Sequence, residues 1–235
     1  MFLILYDSLR ILPYYNTFPI HNEDLFLFEQ KYFSFNNITL SEYFQVHHNS
    51  FFDLLSGVYL TWFPFPAAFA LYLLFKKQQL LTFRFLLGFL LTNLIGFVFY
   101  ITYPAAPPWY YFEYGAEVIR STRGNAGGLV RFDNLVGVPV FRSLYANNEY
   151  IFGAIPSLHS AYPLVLSYYS FKYKNKYLSA LFVASTIGIW FIAVYSLHHY
   201  VIDVLLGVGC AIGGITINEW LFKKSSIEDI MKRFF

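Results

Sequence analysis

The chain has 235 residues, of which 57% are hydrophobic and only 13% charged, with a formal net charge of +2. That balance argues against nucleic acid as a partner, and no basic block or RNA-binding signature is present. Aromatic residues make up 23%, with 28 Phe and 21 Tyr, an excess that suits a membrane protein, where rings gather at both interfaces. The single cysteine, Cys210, excludes an intrachain disulfide and sits in an apolar run, where a small packing residue is expected.

In chain order, the apolar run at 2–6 is too short for a signal-peptide core and is followed by Asp7. Insertion is therefore expected to start from an internal span. Residues 1–50 read as an amphipathic N-terminal region, with short helices around 24–29 and 41–44 lying on the bilayer. Residues 51–222 form the expected transmembrane core, and 223–235 a cytoplasmic tail. Uncharged runs at 54–75, 85–103, 151–171 and 177–197, and a closing apolar run at 199–222, each approach the roughly 20 residues that one crossing needs. The expected fold is an all-α integral membrane bundle of five to six helices, kinked at Pro64, Pro66 and Pro163. Asp53 and Arg84 lie near span ends, where snorkelling to the interface is expected.

Charge orients the bundle. After residue 50 every lysine falls in the short connections at 76–77 and 172–176 or in the tail, which adds Lys223, Lys224, Lys232 and Arg233. Positive residues stay inside, so these segments are expected on the cytoplasmic side. The N-terminal region, the long loop 104–150 and the turn near 196–199 then face outward, together with all six histidines.

A long loop without structure of its own is uncommon in a compact protein unless it is functional. This one carries Arg120, Arg123, Arg131 and Arg142 and no lysine. Arginine grips phosphate through a planar fork, where lysine offers a point charge. The stretch 124–128, Gly-Asn-Ala-Gly-Gly, offers backbone amides to an anion. The run from Tyr103 to Tyr110 is expected to be extended because of its prolines, with Tyr103 and Trp109 at the interface. His21, His47 and His48 read as surface histidines; no Cys or acidic ligand set surrounds them, and no metal or other cofactor is expected.

The chemistry concentrates in two runs, Pro156-Ser157-Leu158-His159-Ser160 and His198-His199-Tyr200-Val201-Ile202-Asp203. Asp203 follows His199 by four residues, so on a helix the two share a face. The carboxylate would hold the imidazole in one tautomer and sharpen it as a nucleophile. His198 stands off that face. His159 would protonate a leaving group. Ser157 begins the third span, where free helix amides can meet an anion. An aspartate inside a span is costly and by default functional.

As a set, these runs resemble the type 2 phosphatidic acid phosphatase superfamily, and within it the branch of aureobasidin-sensitive inositol phosphorylceramide synthases and their bacterial relatives. Tyr-Pro-Ala-Ala-Pro-Pro-Trp-Tyr at 103–110 and Gly-Gly-Leu-Val-Arg-Phe-Asp at 127–133 also look like that branch. The resemblance covers residues 54 to 215. It implies a helical membrane core without metal, His199 as nucleophile, Asp203 as its orienter and His159 as general acid. The chain departs from the wider superfamily in two places. The Lys-x6-Arg-Pro motif is replaced by the 103–110 run, and Ala193 stands where an arginine precedes the nucleophile by six residues. Arg131, with Asp133 to orient it, is the first candidate to supply the missing charge, ahead of Arg123 and Arg120.

The function expected is a lipid phosphotransferase working through a phosphohistidine on the extracytoplasmic face. Its partners would be a phospholipid donor and either a lipid alcohol or water as acceptor. Phosphoinositol transfer to a ceramide-like acceptor is the specific form that the resemblance implies. A lipid phosphate phosphatase would use the same groups with water. A proton-coupled transporter is the alternative of another class, although its ionisable residues would be expected near mid-bilayer.

Overall fold

The computed structural model describes residues 18–146 and 150–224. The apolar run at 2–6 and the tail beyond Lys224, with Lys232 and Arg233, lie outside the described residues.

The described chain is mostly helical, with one hairpin of two-residue strands, Ser34–Phe35 with Ile38–Thr39, closed by Asn36 and Asn37 at positive φ. Helix α1 spans Glu23–Tyr32, α2 Leu40–Val46 and α3 Ser50–Leu55. Helix α2 starts at a capping box, in which Thr39 and Glu42 satisfy each other's end amides. A 3-10 segment, Ser56–Trp62, leads to α4, Pro64–Phe75. The core then runs through α5, Gln79–Thr102, to three short helices in the long loop. These are α6 Pro108–Tyr114, α7 Val130–Val136 and α8 Val140–Ala146. It closes with α9 Leu158–Lys172, α10 Lys176–Tyr195 and α11 Val201–Lys224.

Three of these helices, α5, α10 and α11, are long and apolar enough to cross a membrane. The expected first span is bent by 49° at Phe63, with Pro64 opening α4, and the two pieces together make a fourth. The expected third span is shorter than its apolar run: α9 has 15 residues. Residues 151–156 are apolar because they are core. Their backbone pairs with Ala105 in an extended stitch that also takes in His21. Hydropathy alone does not separate buried chain from lipid-facing chain.

Helix α9 is the hub, packed on α10, α11 and α5, with α5 lying along α11. The helices approach at small residues, as membrane helices do. A Cβ on Gly214 would lie 2.8 Å from Thr92 Cα. Hydroxyl pairs add glue: Tyr162 donates to Asn93 Oδ1 at 2.7 Å, and Ser167 meets Thr186 at 3.1 Å. At the lysine-bearing end Arg84 pairs with Glu219 at 2.6 Å, and Lys172 joins the same carboxylate. Arg84 therefore does not simply snorkel. Asp53 is buried, where it accepts the Tyr195 hydroxyl at 2.6 Å, so snorkelling fails there too.

The loop is a folded roof rather than an unstructured excursion. Tyr103 to Pro107 is extended as expected, but Pro108 opens α6. Proline is well tolerated at a helix's first position, where its missing N–H has no partner to lose. Helix α1 docks on this roof through Phe26, stacked on Tyr111 at 4.3 Å. It buries Leu25, Phe26 and Glu29, while Leu27, Phe28 and Tyr32 remain exposed.

Candidate active site

The site forms where α10 ends and α11 begins, under the roof and beside the start of α9. Leu197 takes a left-handed φ of 63° in the intervening turn. The chain doubles back there, and the amides of His198 and His199 both donate to the Ala193 carbonyl, at 3.1 and 3.0 Å. Ala193, at the position of the superfamily arginine, is fully buried.

His199 Nδ1 lies 3.3 Å from Asp203 Oδ2, the i,i+4 pair anticipated from the spacing. The same oxygen accepts the Tyr200 amide at 2.9 Å, so Asp203 both ties down the first turn of α11 and orients the imidazole. With the proton on Nδ1 donated to Asp203, His199 Nε2 carries the free lone pair. Burial pushes His199 down to about 4, opposed by a backbone hydrogen bond to Ala154. The ring is thus neutral at physiological pH.

The His159 ring stands 5.9 Å from that of His199. It is held between Trp62, edge-on at 4.9 Å, and Tyr59, at 5.0 Å. His198, the weaker candidate by spacing, also lines the pocket, and its Nε2 donates to the Ala126 carbonyl at 2.9 Å. Burial takes it down to about 3. The three histidines share a cavity of about 60 Å³ with Trp109, Tyr145, Tyr150 and Asn125. An anion entering it would favour protonation of a neighbouring imidazole, since opposite charge stabilises the charged form.

Ser157 caps α9 by accepting the Ser160 amide at 3.3 Å, and its own amide donates to the Asp203 carbonyl at 2.9 Å. Its hydroxyl is buried in this cap rather than turned to the cavity. Tyr103 lies outside the cavity lining, stacked on His21 at 3.7 Å. Trp109 is buried and lines the cavity.

Arg131 is not among the residues lining the pocket. Its guanidinium donates to the carbonyls of Gly128, Phe44 and Tyr195 at 2.9, 3.0 and 2.8 Å. Its carboxylate partner is Asp53, at 3.5 Å. Asp133, expected to orient Arg131, instead caps α8 by accepting the amides of Phe141 and Arg142, each at 2.9 Å. The glycine stretch is also spent on structure: Gly127 N–H goes to Asn125 Oδ1 and Gly128 N–H to the Ser196 carbonyl. Arg120 is exposed. Arg123 and Arg142 line an open cleft of about 440 Å³ that shares Gly124 and Asn125 with the histidine pocket. Tyr59, Trp62, Tyr145 and Tyr150 escaped sequence reasoning, because in so aromatic a chain nothing marks four rings as special.

Known proteins resemble this chain in sequence. The chain is 46% identical over 228 residues to a phosphoinositol dihydroceramide synthase of Bacteroides thetaiotaomicron, covering 94% of this chain and 73% of that protein. It is 34% identical over 173 residues to the inositol phosphorylceramide synthase catalytic subunit AUR1 of Saccharomyces cerevisiae. The inositol phosphorylceramide synthase of Candida albicans is likewise 34% identical, over 163 residues. These alignments span 72% and 67% of this chain but only 42% and 32% of the yeast proteins. No solved structure matches. The PAP2 superfamily pattern matches residues 23–217, across both histidine runs, and the chain belongs to that superfamily.

Proposed function

We propose that the protein is a membrane lipid phosphotransferase that moves a phosphoinositol head group onto a ceramide-like alcohol through a phosphohistidine. The observation that carries this reading is the His159–His199 pair, with Asp203 on the far nitrogen of His199. The names of the relatives supply the head group and the acceptor.

In the first step His199 Nε2 attacks phosphorus and the bond to the diacylglycerol oxygen breaks. His159 gives that oxygen its proton, and the phosphoinositol group stays on His199. In the second step His159 takes the proton of the acceptor hydroxyl, whose oxygen displaces His199 from phosphorus. Asp203 stabilises the charge that builds on His199 in both steps. Trp109 and the pocket tyrosines would exclude water from the intermediate, which favours transfer over hydrolysis. Arg123, in the cleft that continues from the pocket, is the cation best placed to meet the head group. The lysine distribution supports a site on the extracytoplasmic face.

The test uses purified protein in mixed micelles with radiolabelled phosphatidylinositol, with and without ceramide, and separately with phosphatidic acid. Labelled inositol phosphorylceramide that requires ceramide is the expected product. Release of phosphate from phosphatidic acid without any transfer would assign a phosphatase instead. Absence of any labelled enzyme intermediate would remove the phosphohistidine.

A further inference from the structure

Glu29 sits in the amphipathic N-terminal region, where an acidic residue is expected to face water. The structure buries it completely. Its Oε1 accepts the Val201 amide at 2.9 Å, across 172 residues of sequence, and Oε2 has no hydrogen-bond partner. Val201 is the first residue of α11, the helix that carries Asp203.

A helix start leaves amides without partners, and a local Ser, Thr, Asp or Asn usually takes one. Here Tyr200 precedes the helix and its side chain cannot reach back. Asp203 covers the Tyr200 amide at 2.9 Å, which is half of a capping box. Glu29 covers the Val201 amide from a different part of the chain. Asp203 Oδ2 serves the Tyr200 amide and His199 Nδ1 at once, so the shape of this first turn sets where the catalytic carboxylate stands. Leu25 and Phe26 of α1 share an apolar cluster with Tyr200, Ala154 and Ile155, which keeps the Glu29 carboxylate against the turn.

We propose that Glu29 is a positioning residue for the His199–Asp203 pair, capping the catalytic helix from the N-terminal segment. It touches no substrate. It acts by keeping the first turn of α11 closed, so that Asp203 holds the His199 tautomer through both transfer steps. The catalytic part of this assignment rests on the phosphohistidine reading of His199; the capping part does not.

The test compares Glu29→Gln, Glu29→Asp and Glu29→Ala in the full chain, purified in detergent, by amide hydrogen exchange over 200–206 and by kcat and KM for phosphoinositol transfer. Glutamine keeps an acceptor oxygen at the same reach, whereas aspartate is one methylene short. Glu29→Ala and Glu29→Asp should exchange about five- to tenfold faster at 201–204, the factor of a lost helix cap. Their kcat should fall about ten- to hundredfold, as for a small misplacement of reacting groups, with KM within about twofold. Glu29→Gln should restore both readouts to within about threefold. Wild-type exchange in Glu29→Asp, a loss confined to KM, or a glutamine variant as impaired as aspartate would each overturn the proposal. If Glu29→Ala does not fold, the aspartate and glutamine pair decides. If the wild type transfers nothing, the functional reading falls, while the exchange data still judge the cap.

Discussion

Replacing Arg131 separates two roles that an arginine in this loop can have. As a phosphate clamp it would govern rate; as the structure has it, it ties α2, the roof and the end of α10 together. Its three bonds go to carbonyls on Phe44, Gly128 and Tyr195, and Gly128 leaves the room, since a Cβ there would lie 2.2 Å from Arg131 Nη2. Its guanidinium also lies over the Tyr195 ring at 4.7 Å. Bonds from a charged donor contribute about 1.5–3 kcal/mol each, and water would recover part of that at the half-buried carbonyls. Arg131→Ala should therefore cost about 4–6 kcal/mol, against a total stability of roughly 5–15 kcal/mol for a folded domain. It should accumulate poorly. Arg131→Gln keeps two donors and should cost about half as much, a drop in Tm of roughly 5–10 °C for a chain of this size. Thermal unfolding in detergent, followed by tryptophan fluorescence, reads this directly, and transfer is assayed per folded molecule. Activity within about threefold of wild type is expected, because no bond to the reacting group is lost. A clamp would behave oppositely: near wild-type Tm with a loss of roughly 10³–10⁵ in rate. That result would refute the structural assignment and return Arg131 to the phosphate.

His199→Ala should abolish turnover and any phosphoenzyme, while His159→Ala should lose about 10²–10⁴-fold on a lipid substrate and much less on an activated aryl phosphate. Equal losses on every substrate would contradict the division of labour between them. Single cysteines at 125 and 174 in a Cys210→Ala background should react oppositely with an impermeant thiol reagent on whole cells. Labelling at 174 and not at 125 would invert the proposed topology. Burial raises Glu29 from 4.5 to about 7, with the Asp203 charge adding to it and the Val201 amide opposing it. An acid whose pKa is raised on folding loses stability as pH climbs from its unfolded value through its folded one. The loss spans pH 4.5 to 7 and reaches about 3 kcal/mol at 1.36 kcal/mol per unit. The Tm advantage of Glu29→Gln over wild type should therefore grow between pH 5 and 8, and a difference that stays level would show that the carboxyl titrates normally.

The His199–Asp203 contact was legible from its four-residue spacing, although His199 sits in the turn two residues before α11 rather than on the helix, and His159 stands beside it. The long spans were legible for a similar reason, since length and hydropathy are linear properties of the chain. The partners of Arg131 were not legible, because a guanidinium fork satisfies backbone carbonyls as well as it does phosphate oxygens, and only the fold says which are near. Residues 151–156 misled because core and lipid favour the same side chains. Pro108 was read as a block when at the first position of a helix it is an invitation. Glu29 left no local mark at all: its partner is an amide 172 residues away.

Gly207 turns the contact between α9 and α11 into a gauge. A Cβ there would lie 2.1 Å from the Ser157 carbonyl oxygen, and the Ser157 amide is bonded to the Asp203 carbonyl at 2.9 Å. One helix carries His159 two residues beyond this contact; the other carries Asp203 one turn before it. The distance between the two helix backbones therefore bears on the spacing of His159 from Asp203, and through Asp203 on the His199 ring that it holds. Side chains far down either helix share that mechanical link. A substitution near the lysine-bearing end that wedges α9 from α11 would spread the histidines as a hinge spreads its tips, and would register in catalysis before it registered in melting.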